Sequence, residues 1–114
     1  MEIKLYTLTE RAEGQYRLDA KRDRYIERDV LNARISSLIY ASRDRYYYSD
    51  QDATVVFGTC VITFSGDQVT DIHWSNEDHV CKGISEVEKT ALLEAYRYFG
   101  LNRGGNKKIH KKED

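Results

Sequence analysis

Apolar and polar residues alternate in Glu2-Ile3-Lys4-Leu5, and the period of two predicts a short half-buried strand over residues 2–8. Glu10 to Gly14 reads either as a turn into a second strand, Gln15-Tyr16-Arg17-Leu18, or as the approach to a long helix. From Asp29 the period becomes helical. Asp29 is placed to cap the first turn, and Leu31, Ile35, Leu38 and Ile39 share one face. Ile26 and Val30 fall on a different face, so one straight helix over 19–43 would bury two faces, or the segment bends. Tyr46-Tyr47-Tyr48 favours strand, and Ser49-Asp50-Gln51-Asp52 is a turn cluster.

Residues 53–64 read as one long strand. Ser65-Gly66-Asp67-Gln68 then closes a tight hairpin onto a return strand, Val69 to Trp74. After a polar loop at 75–84, Ser85 and Glu88 form a capping box that opens the last helix. Val87, Ala91, Leu92, Ala95, Tyr98 and Phe99 make its apolar stripe, and Gly100 stands at the stop. The expected fold is α+β: a small antiparallel sheet of three to five strands with two helices on one face, in the order β-α-β-β-β-α. Residues 1–100 are expected to form one domain, and 101–114 a basic flexible C-terminal tail.

Charged residues are 32% of the chain and the net charge is −1, which excludes a broadly cationic DNA-coating protein. The near-zero total conceals polarity. Residues 67–94 carry seven acids against two bases, and residues 97–114 six bases against two acids. Two cysteines are too few for a disulfide scaffold, the first residues lack the apolar stretch of a signal peptide, and no run is long enough to span a bilayer. The expected location is the cytoplasm, with no membrane partner and no cofactor.

Three kinds of chemistry were weighed. Tyr46, Tyr47 and Tyr48 lie beside Arg43 and Arg45, and tyrosine and arginine are the side chains most enriched where proteins meet partners. Neighbouring strand residues point to opposite faces, so one packed layer leaves at least one ring uncovered. Asp67 and Asp71 on the hairpin, with Glu77 and Asp78 in the loop, supply an acidic surface that suits a basic partner. This combination predicts a non-enzymatic adaptor, regulator or inhibitor docking a protein partner. A compact acidic inhibitor of the kind mobile genetic elements encode fits the pattern.

The first alternative is a nucleic-acid-binding module using Arg43, Arg45, the tyrosine rings and the lysine-rich tail. The second is a zinc or thiol site. With a two-residue turn, Ser65 pairs with Gln68 and Cys60 falls opposite His73, their Cβ atoms about 5 Å apart. His79 and Cys81 follow, a donor set suited to tetrahedral zinc. A one-residue slip would send His73 to the other face. No catalytic motif is assembled around either cysteine or any carboxylate pair, and Gly104-Gly105 before Lys107-Lys108 lacks the spacing of a phosphate loop.

The last 70 or so residues, read as α-β-β-β-α, are similar in element order to double-stranded-RNA-binding domains, and Lys82-Gly83-Ile84-Ser85 resembles the loop that opens their final helix. That family implies basic residues just after the cap to meet phosphates. Glu86, Val87 and Glu88 occupy those positions, so the resemblance stops at topology.

Overall fold

The computed structural model describes residues 3–75 and 83–107. Its elements are β1 (Thr7–Leu8), α1 (Glu10–Asp19), a 3-10 turn (Lys21–Asp23), α2 (Arg28–Ala41), β2 (Asp44–Tyr47), β3 (Asp52–Phe57), β4 (Cys60–Ser65), β5 (Gln68–Trp74) and α3 (Glu86–Tyr98). The strands form one sheet in the order β1-β5-β4-β3-β2. The expected α+β class and strand number hold. The sheet is mixed, however, because β1 runs parallel to β5.

The ambiguous segment at 10–19 is a helix. Thr9 caps it by accepting from the Ala12 N–H at 3.2 Å, and its Ala12 and Tyr16 are buried against the sheet. Asp29 is not the cap of α2. Glu27 occupies the cap position without a side-chain bond, and Asp29 Oδ1 instead accepts from the Val30 N–H inside the first turn.

The two apolar faces of α2 each have a partner. Leu31, Ile35 and Ile39 join Leu8, Val55, Ile62, Val69 and Ile72 in the sheet-side core. Complete burial of such aliphatic side chains contributes about 2 kcal/mol each. Val30 and Ala33 face the other way and pack with Tyr96 and Leu101. Thus α1 and α2 cover one face of the sheet, while α3 packs on the far side of α2 and not on the sheet. Two helices lie on one face as expected, but the first of them is α1, and the expected last helix, α3, is a third one behind α2. The stripe of α3 is rotated accordingly: Ala95 and Tyr96 are buried, whereas Val87 and Tyr98 are exposed.

The expected long strand over 53–64 is two strands. Gly58 has φ +63°, which other residues adopt at a cost, and it reverses the chain so that Phe57 pairs with Cys60. Four strands therefore lie between α2 and α3, and the three-strand order shared with double-stranded-RNA-binding domains does not hold.

The stop at Gly100 does not end the packed body. Leu101 is buried, and Gly105 and Asn106 accept hydrogen bonds from Arg34. Residues 101–107 therefore fold back onto α2 and α3, on the domain side of the boundary expected at residue 100. The rest of the expected tail, 108–114, lies outside the described residues.

Candidate functional site

Strand β2 is an edge of the sheet, and its side chains alternate between the two faces. Pairing places Tyr46, Thr54, Thr63 and Asp71 in one row across four strands. The next row is Asp44, Val56, Val61 and His73. Both rows lie on the face opposite the helices, because the intervening residues Ala53, Val55, Ile62 and Ile72 enter the core. Hydroxyl groups link the first row: Tyr48 donates to Thr54 Oγ1 at 3.0 Å, and Thr54 and Thr63 are 2.9 Å apart. At its end Asp71 pairs with His73 at 3.0 Å.

Arg45 and Tyr47 emerge on the helix-side face. Arg45 donates to the Ile39 carbonyl at 3.0 Å and to the Tyr47 hydroxyl at 3.3 Å, and lies over the Phe64 ring. Lys4, Tyr6, Arg45, Tyr47, Asp50 and Asp67 line an open groove of about 470 Å³ at this corner. Two cations and two carboxylates make it close to neutral.

All three rings are uncovered: Tyr46 is 52% exposed, Tyr47 62% and Tyr48 69%. Their surface is nevertheless divided by the sheet. Tyr46 and Tyr48 share the open face with Asp44 and Asp71, while Tyr47 shares the groove with Asp67. Of the acids expected to form one patch, Asp71 and Asp67 are separated onto different faces, because the extra residue Thr70 between them shifts the register of β5. Glu77 and Asp78 lie outside the described residues. Arg43 is exposed, but its backbone N–H is held by Glu88 Oε2 at 3.3 Å. Burial alone would push the Glu88 carboxyl up, yet hydrogen bonds from Ser85 and Arg43 outweigh it and hold the group below the usual carboxylate range.

The expected pairing of Cys60 with His73 is not formed. Thr70 is an extra residue in β5, so the register shifts between Thr63 and Phe64, and Cys60 stands opposite Trp74. Cys60 consequently enters the core while His73 sits on the open face. Burial pushes the Cys60 thiol up to about 12, which keeps it protonated at neutral pH. The other two expected ligands, His79 and Cys81, lie outside the described residues. Among the described residues no group of three or more His, Cys, Asp or Glu side chains is placed to hold a metal, and no helix is long and apolar enough to cross a membrane.

Sequence reasoning missed the hydroxyl row of Thr54 and Thr63. The one threonine in each strand, Thr54 in β3 and Thr63 in β4, is the available signal, and it shows only once the turn at Gly58 pairs the two strands. It also missed how the other edge is closed. The Tyr6 N–H donates to Ser36 Oγ at 2.6 Å and the Leu8 N–H to Asn32 Oδ1 at 3.0 Å, while Arg28 donates to the Leu8 carbonyl. No protein-family model matches this chain, and comparison with curated proteins and with solved structures finds no significant match.

Proposed function

We propose that this chain is a non-catalytic interaction protein that docks a protein partner through the ring-bearing edge of its sheet. The observation carrying this reading is the run Tyr46-Tyr47-Tyr48, each ring more than half exposed, with Tyr46 and Tyr47 on β2 and Tyr48 one residue beyond it, its N–H bonded to the Asp52 carbonyl. A tyrosine offers a large contact area and a hydroxyl while surrendering little rotamer freedom, which suits it to binding surfaces. Exposed rings on a rigid strand have most of their ordering entropy already lost before binding. Asp44 lies two residues from Tyr46 on the same face, and Asp71 ends the row that Tyr46 begins, which favours a partner with basic side chains over a phosphate backbone. An adaptor, regulator or inhibitor has this kind of surface.

The test is capture of partners from extracts of cells that encode the protein, comparing the intact chain with Tyr46→Ala, Tyr48→Ala. The reading predicts a discrete set of proteins retained by the first and lost from the second, with melting temperature unchanged. Identical sets from both would end it. Salt-sensitive oligonucleotide binding that survives the double substitution would instead favour phosphate contacts made elsewhere.

A further inference from the structure

The two edges of the sheet are treated differently. At β1 the outward N–H groups of Tyr6 and Leu8 and the Leu8 carbonyl all find partners in the side chains of α2. At β2 they do not. The Tyr48 N–H bonds the Asp52 carbonyl at 2.8 Å, so in the alternating antiparallel pattern Tyr46 and Asp44 also bond inward to β3. Arg43, Arg45 and Tyr47 must then turn their backbone groups outward. Arg43 confirms this phase, because its N–H reaches Glu88 on α3. The outward groups of Arg45 and Tyr47 have no partner among the described residues. Neither proline nor lysine nor a bulge blunts this edge.

We infer that the β2 edge pairs antiparallel with the β2 edge of a second copy of this chain, with Tyr46 opposite Tyr46 across the two-fold axis. The register follows from charge. Centring on Arg45 sets the two Arg45 side chains against each other, and centring on Asp44 opposes the two Asp44 side chains. Centring on Tyr47 sets Asp44 against Asp50 of the second copy. Each of these places like charges directly opposite, which destabilises the pairing.

Centring on Tyr46 instead sets Arg45 against Tyr47 of the second copy, and Asp44 against Tyr48 of the second copy. The first is a cation–ring contact and the second places a phenol beside a carboxylate. Arg45 and Tyr47 then exchange their backbone N–H and C=O groups with those of the second copy. Glu88 closes the edge at Arg43 and limits how far the pairing runs. The two five-stranded sheets become one, and their open faces form a continuous surface bearing Tyr46 and Tyr48 from both copies.

Sedimentation of the full chain tests the pairing, with an expected mass about twice 13.3 kDa at high concentration. Tyr47→Pro removes an outward N–H but no bond to β3, and is expected to weaken the dimer about a hundredfold or more. Tyr47→Ala keeps that N–H and should weaken it about tenfold or less. In a Cys81→Ser background, Tyr46→Cys should give a disulfide-linked dimer on mild oxidation, since facing residues of a non-hydrogen-bonded pair lie about 4.5 Å apart at Cα. Tyr48→Cys should not, because it faces Asp44. The Tyr46→Cys cross-link keeps the test decisive if Tyr47→Pro fails to fold.

A chain that stays monomeric at every attainable concentration would overturn the inference. So would equal dimerisation of Tyr47→Pro and Tyr47→Ala, or equal cross-linking from positions 46 and 48. A monomer that still captures a partner through its rings would leave the proposed function intact.

Discussion

Arg34 shows how much one buried cation can organise. It is 7% exposed, donates to the Tyr16 hydroxyl and to Asp23 Oδ2 at 2.7 Å each, and holds the Gly105 carbonyl and the Asn106 side chain. One guanidinium thereby joins α1, the 3-10 turn, α2 and the returning C-terminal segment. Arg34→Met is expected to cost about 3 kcal/mol in urea denaturation, because it strands a carboxylate and a buried carbonyl. Arg34→Lys should recover little, since a point charge cannot reproduce the fork.

Cys60 and Tyr16 set a second residue-scale expectation. Burial pushes the thiol up to about 12, and burial, opposed by Arg34, pushes the phenol up to about 12 as well. Both are acids whose neutral form the fold favours. Their contribution is whole below the unfolded values of 9.0 and 10.0, and falls as pH rises toward 12. The urea midpoint should hold to about pH 9 and then fall, with Cys60→Ala reducing the loss. In a Cys81→Ser background the native chain should not react with a thiol reagent at pH 8, and a fast-reacting native thiol would contradict the buried placement.

Among the elements, those legible in the sequence were fixed by local chemistry. The turn at Gly66-Asp67 pairs Ser65 with Gln68 as expected, and Ser85 and Glu88 form the full capping box. What failed to show had non-local causes. The turn at Gly58 is invisible to periodicity, because a lone glycine inside a strand pattern reads equally well as a bulge. The extra Thr70 cannot be counted from sequence, yet it sent Cys60 and His73 to opposite faces. The α3 stripe was rotated because α3 meets Val30 and Ala33 of α2 instead of the sheet. Residues 101–107 looked like a tail because their anchor, Arg34, lies about 70 positions away.

The β3–β4 turn offers the element-scale test. A methyl group at Gly58 would meet Ile84 side-chain carbons at 3.1 Å, on a backbone already in the left-handed region. Gly58→Ala is expected to lower stability by about 1–2 kcal/mol. Gly14→Ala meets nothing within 4 Å and sits inside α1, so it should be neutral or stabilising by up to about 1 kcal/mol. Equal effects from the two substitutions would contradict the turn.

At the scale of the molecule, the sheet separates three surfaces of different character: a helix-covered face, an opposite face on which Val56 and Val61 are buried while the rings are exposed, and an edge whose Arg45 and Tyr47 backbone groups have no partner among the described residues. The presence of exposed rings at 46–48 could be argued from alternation alone. The division of the acids between two faces could not, since it depends on where β5 lies. Tyr25, 90% exposed in the turn before α2, is a ring of another kind. Tyr46 differs in lying on β2, and Tyr48, one residue beyond it, is tied to the sheet by its N–H to Asp52 and its hydroxyl to Thr54, at an edge whose outward Arg45 and Tyr47 backbone groups have no partner among the described residues.

That contrast suggests the most direct measurement. A photoreactive phenylalanine analogue is placed at position 48 or at position 25, and the protein is irradiated in cells that encode it. Docking of a partner on the ring-bearing surface predicts a discrete product from position 48 that contains a second, different protein and is distinct from the cross-linked homodimer, and none from the more exposed position 25. The same products from both positions, or none from 48, would show that the rings of β2 are merely solvated.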